Sequence, residues 1–257
     1  MLPMLAMLAQ AAAALAATHT PAPFTIAYAP DHAAAAHELQ RYLYLLLGPT
    51  PAAGDDDDRR RDEPPTRLPV LLELASNGTL VAPSADHESR KALFLLAGPL
   101  TADSLAHDFL RQSPDLEGWQ PLPDDAGEHN HIIHTSRDGR LAVCHGATAL
   151  ATKYAVFSLL ESLGVGFRLH GDALPAPRPA AALITALAQH GRAAWSPGVV
   201  NRRGIQPFHD FAEGPDQWNA DEYKLHIDQL TKLKMNFIGF HTCARGPFAL
   251  ARSEVIW

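Results

Sequence analysis

HIIHTSRDGRLAVCHGATALATKYAVFSLLESLGVGFRL, residues 131–169, decides the reading of the fold. Two arms rich in apolar residues, His131-Ile-Ile-His-Thr135 and Arg140-Leu-Ala-Val-Cys144, flank Asp138-Gly139. That dipeptide supplies the positive φ angles of a tight turn, so a β-hairpin is expected. After Gly146 the apolar spacing becomes helical and runs to about Leu163, with Tyr154, Phe157, Leu160 and Leu163 on one side and Gly164 as cap. Val165 to Leu169 then reads as a strand. Hairpin, helix and strand in succession predict an α/β domain with a mixed, sandwich-like sheet and helices packed on it.

Upstream, Pro23 to Tyr28 reads as a strand and Asp31 as the N-cap of a helix over about 32–47, whose Ala35, Leu39, Tyr42 and Leu46 form an apolar stripe that Gly48-Pro49 ends. Leu68 to Leu74 and Leu93 to Ala97 are continuous apolar runs, which suit strands covered on both faces. Between them and the helix lies 50–66, with four consecutive aspartates (Asp55 to Asp58), three arginines (Arg59 to Arg61) and Pro64-Pro65. It has almost nothing to bury and reads as a disordered surface insertion. Calcium is a poor reading of the aspartates, because adjacent carboxylates cannot all turn toward one ion.

Downstream, prolines at 175, 177 and 179 make 171–181 read as a linker and place a domain boundary near 178. Val199 to Ile205 is then a strand. Asn219 and Glu222 form a capping-box-like start to a helix carrying Tyr223, Ile227, Leu230 and Leu233, and Met235 to His241 is the next strand. This β-α-β order is the repeat of a parallel layer or of a barrel.

The chain of 257 residues is 47% hydrophobic and 19% charged, too apolar for wholesale disorder and long enough for one large domain or two ordinary ones. Against 28 acidic residues stand 21 Lys and Arg, which lacks the basic excess that nucleic acid requires. Residues 1–20 open on an apolar run with a small-residue cleavage pattern at Ala14-Leu15-Ala16, as in a secretory signal peptide. Its n-region has no Lys or Arg, so an Ala-rich leader is the other reading. No later run reaches the roughly 18 apolar residues of a membrane span, so no membrane partner is expected. Asn77-Gly78-Thr79 is a glycosylation sequon. Cys144 and Cys243 have no metal or disulfide spacing and read as small buried hydrophobes.

GxGxxG, GxxxxGK[ST], GxSxG, HExxH and CxxC are all missing, which removes sequence support for nucleotide, serine-hydrolase and zincin chemistry. His129, His131 and His134 crowd one hairpin arm. Residues two apart share a strand face, so only His129 and His131 converge, and the arm reads as a solvated histidine-rich turn with no metal.

Asn201-Arg-Arg-Gly-Ile-Gln-Pro-Phe-His-Asp-Phe-Ala-Glu-Gly-Pro-Asp-Gln-Trp218 and Gln229-Leu-Thr-Lys-Leu-Lys-Met-Asn-Phe-Ile-Gly-Phe-His241 resemble the alpha-glucuronidase and beta-hexosaminidase group of glycoside hydrolases. The resemblance extends over about 24–257, through AAHELQRYLYLLLG (35–48) and 141–175. It implies an accessory α/β domain over 21–178 and, over 179–257, the first β/α elements of an incomplete (β/α)8 barrel. It also implies a secreted hydrolase with a carbohydrate substrate and no cofactor.

In such a barrel, ligand groups gather at the C-terminal strand ends, where Arg203, His209, Asp210 and His241 are expected to bind substrate. Trp218 is expected to stack on a sugar ring. The alternatives are that Arg203 pairs internally with Asp210, that Trp218 is loop core and that His241 bonds a neighbouring loop. The paired carboxyl groups of glycoside cleavage have no candidates here, since the family carries them on later strands. This piece is therefore expected to be inactive alone. The other class of function is a non-catalytic carbohydrate-binding or scaffold module.

Overall fold

The computed structural model describes residues 23–48, 69–73, 92–98, 110, 113, 116, 118–195, 202–205, 218–240 and 253–256. The apolar runs build the centre of a mixed α/β fold. β1 (Phe24–Tyr28), β2 (Val70–Glu73) and β3 (Ala92–Ala97) lie parallel, and β5 (Leu141–Gly146) continues beside β3. β4 (His131–Thr135) pairs antiparallel with β5 as the expected hairpin. One face packs Phe24, Ile26, Phe94, Leu96 and Cys144 against the helices, while Ala27, Leu95 and Val143 on the other meet Leu110, Leu116 and Trp119. Continuous apolar runs thus serve two cores at once. Full burial pushes the Cys144 thiol up to about 12, so it packs as a hydrophobe.

α1 (Ala33–Leu47) starts differently from expectation. Pro30 fixes the φ of a single 3-10 turn over Pro30–His32, so Asp31 lies within that turn and makes no cap bond. α2 (Ala149–Ser162) is capped by Thr148, whose hydroxyl accepts from the Ala151 amide. Leu163, not Gly164, is its C-cap. Gly164 lies one residue beyond at φ 96, and the Gly164 and Val165 amides donate to Glu161 and Leu160 as a helix-closing pair.

The strand expected at 165–169 shrinks to β6 (Gly166–Arg168) and pairs only with β7 (Gly171–Ala173) as a separate two-stranded ribbon. The prolines do not end the layer. α3 (Ala180–His190) follows them and buries Leu183 and Leu187 in the first core, and β8 (Arg192–Trp195) adds to β4. The sheet order is β2-β1-β3-β5-β4-β8, so its last strand comes from beyond the expected boundary at 178. The supposed linker is itself tied down, because the Arg178 amide donates to Leu46 O at 2.8 Å and its guanidinium donates to Leu163 O.

The downstream unit comprises β9 (Gly204–Ile205), α4 (Ala220–Lys232) and β10 (Phe237–Phe240), with β9 and β10 parallel. α4 starts on the expected capping box of Asn219 and Glu222. β11 (Ser253–Ile256) was not expected and pairs antiparallel with β10, where a barrel would continue in parallel. No helix among the described residues is long and apolar enough to cross a membrane. The leader, the 50–66 insertion, the sequon and Cys243 lie outside the described residues.

Candidate functional site

Arg203 precedes β9, and the pairing of Gly204 with Phe237 sets it level with Asn236, before β10 begins. It therefore stands at the N-terminal ends of the parallel pair, opposite the ends where a barrel collects ligand groups. That corrects the expected position. The reason is the strand register, which places Gly204 rather than Arg203 within the ladder.

The side chain runs into the first sheet's margin. Arg203 Nε donates to Lys234 O at 2.9 Å and Nη1 to His129 Nδ1 at 3.2 Å. The guanidinium carbon lies 5.2 Å from the Trp195 ring centroid and 5.8 Å from that of Tyr154. Asn236 fixes the backbone beneath it, because its Oδ1 accepts from the Arg203 amide at 2.9 Å while its own amide donates to Arg203 O at 2.7 Å. Gly204 serves the same closure. A Cβ there would lie 1.7 Å from Phe237 O, so its bareness admits the neighbouring strand rather than a ligand.

His129, His131 and His134 are buried, so the arm is not a solvated turn. The face argument holds: His129 and His131 both pack against Tyr154 on α2, whereas His134 meets Trp119 on the other side of the sheet. His131 Nδ1 donates to His129 O and its Nε2 accepts from Ser158. Burial, with the nearby charges of Lys234 and Arg203, brings His131 down to about 4. Burial and then the Arg203 charge also lower His129, against an opposing pull from Glu128. Burial raises the Tyr154 phenol to about 12. Both histidines are thus neutral near pH 7, and a neutral His129 can accept from the guanidinium.

A second buried polar group joins the downstream unit to the ribbon and to α1. Asp172 on β7 accepts from Lys232 Nζ at 3.0 Å and from the Tyr42 hydroxyl. Burial alone would raise this carboxyl, but the bonds from Tyr42 and Lys232 outweigh it and hold it below the usual range. Burial and the Asp172 bond push Tyr42 far up. Tyr42 is fully buried and Lys232 nearly so, so this group fastens helices, while the partly exposed Asp172 also borders the cleft beside the ribbon.

Trp218 stacks on His226 at 3.9 Å between centroids and meets Tyr223 edge-on at 5.4 Å. One of its faces is taken by His226 of α4, the helix that follows it. His209, Asp210 and His241 lie outside the described residues. Among the described residues no group of three or more His, Cys, Asp or Glu is placed to hold a metal. A cleft lined by Arg168, His170, Gly171, Asp172 and Ala173 opens beside the ribbon. The sequence reading missed the convergence of His129, Tyr154, Trp195 and Asn236, since they come from four separated segments and share no local pattern. Comparison of the chain with models of known families finds no match, and neither does comparison with curated proteins.

Proposed function

We propose that this chain is the N-terminal portion of a secreted glycoside hydrolase resembling alpha-glucuronidase, with an accessory α/β layer leading into the first elements of a (β/α)8 barrel. The supporting observation is the unit β9–α4–β10, two parallel strands joined by one helix, which is the repeat of such barrels. In chain order His209 and Asp210 follow β9 and His241 follows β10. These are the proposed carbohydrate contacts, with the catalytic carboxyl groups left to later strands. Arg203 is better supported as the residue that seats this unit on the accessory layer. The antiparallel β11 favours the second reading, a non-catalytic carbohydrate-binding or scaffold module.

The chain is tested on aryl glycosides and titrated with an oligosaccharide bearing glucuronic acid. Expected are no turnover and measurable binding that His241→Ala weakens about tenfold, a loss of roughly 1.4 kcal/mol. Turnover that Asp210→Asn abolishes would place a catalytic group within this chain. Absence of any carbohydrate binding would sink both the hydrolase and the module reading.

A further inference from the structure

We propose that His129 is a pH-operated latch, holding Arg203 and the β9–β10 unit while neutral and releasing them when it takes a proton. The geometry allows two positions. In the neutral ring, Nδ1 is an acceptor for Arg203 Nη1 at 3.2 Å, which leaves the proton on Nε2 between Glu128 Oε1 at 3.4 Å and Asn236 Nδ2 at 3.3 Å, of which only the carboxylate oxygen can accept it. A second proton would have to go to Nδ1. It would set two N–H donors and two positive charges against each other at the Arg203 contact, with no acceptor between them.

The imidazolium has an exit on its other side. Glu128 is largely exposed, its side chain at 65%, and can follow the ring, whereas Arg203 is fixed by Lys234 O and by the Asn236 backbone clamp. Protonation therefore exchanges the Arg203 contact for a Glu128 pair. The other groups around the ring do not titrate in the same interval. Tyr154 on α2 is raised to about 12, and His131 on β4, which bears the charges of Lys234 and Arg203, is lowered to about 4. Asn236 Nδ2, at 3.3 Å from His129 Nε2, carries no charge and, with its Oδ1 turned to the Arg203 amide, is itself a donor that cannot accept the ring proton.

The sign follows from the lowered His129: the latch is complete above its ordinary value of about 6.5 and is lost as pH falls below it. Release is read at the amides it frees. The Asn236 amide is bonded to Arg203 O and the Arg203 amide to Asn236 Oδ1, so both report whether this corner is closed.

The experiment follows the His129 ring by NMR through a pH titration, with hydrogen-exchange protection, corrected for intrinsic rates, at Arg203 and Asn236. Between about pH 7 and about pH 5, protection at both amides should fall at least about tenfold while Ile26 and Phe94 in the sheet centre keep theirs. His129→Gln, whose amide oxygen accepts without titrating, should abolish the fall. Glu128→Gln leaves the latch in place and should move the fall to lower pH, which keeps the proposal testable should the glutamine variant not fold. An unchanged fall in His129→Gln overturns the latch, as does a His129 titration with no loss of protection. A midpoint unmoved in Glu128→Gln overturns the exchange between partners.

Discussion

Arg203 is held by directional bonds on one edge and by aromatic faces on the other, and both depend on the planar guanidinium. A lysine ammonium cannot donate to Lys234 O and His129 Nδ1 from one plane while lying between Trp195 and Tyr154. Arg203→Lys is therefore expected to lower stability by about 1.5–3 kcal/mol, the worth of a hydrogen bond involving a charged group, as measured by urea unfolding. Its affinities for acidic and neutral sugars should change by the same factor. A selective loss for the acidic sugar at full stability would return Arg203 to the ligand site. Sequence singled out this residue as a ligand contact, and the structure adds its internal contacts to Lys234, His129, Trp195 and Tyr154. Arg-Gly before an apolar strand is legible as a motif, whereas which end of the strand it occupies depends on a register set by Phe237, more than thirty residues away.

At the scale of elements, the legible parts are those whose own residues enforce them. β3 is apolar throughout, and β1 and β5 are so apart from Thr25 and His145, which suits strands covered on both faces, and α4 carries its start signal in Asn219 and Glu222. β8 was illegible for the opposite reason. Arg192–Trp195 is exposed along its length, and only the backbone ladder with β4 makes it a strand. The hairpin shows how a local signal acquires a distant partner. Of Asp138-Gly139, only the glycine adopts positive φ, at 71°, while Asp138 accepts from Ser136 Oγ and the Arg140 amide. A Cβ on Gly139 would lie 2.0 Å from Ile184 O in α3, so the turn is pressed against a helix that local sequence did not predict. Gly139→Ala should then cost more than the strained backbone alone, about 3 kcal/mol or more with the clash included. Calorimetry would show this as a lowered Tm. A change of about 1 kcal/mol or less would mean that α3 does not rest on the turn.

On the scale of the whole molecule, the question is where the first folding unit ends. The prolines at 175, 177 and 179 suggested 178, since a proline-rich stretch can be neither helix nor central strand. The layer instead uses them as a rigid strap across the end of α1 and returns to it. Leu183 and Leu187 are fully buried in the first core, Thr135 Oγ1 donates to Leu187 O at 2.7 Å, and β8 covers the outer edge of β4. Burying a leucine is worth about 1.5–3 kcal/mol, so the pair contributes roughly 3–6 kcal/mol. A domain's whole stability is about 5–15 kcal/mol, and removing α3 therefore consumes a large part of it while also opening the β4 edge. A fragment over 23–195 should unfold in one cooperative urea transition, whereas one over 23–178 should show a broad, shallow transition, bind a hydrophobic dye and associate through the uncovered strand. The contrast depends on α3 and β8 alone, because the two fragments share every other element. Equal cooperativity, with stabilities within about 1 kcal/mol, would show that α3 and β8 merely rest on a unit already complete at 178.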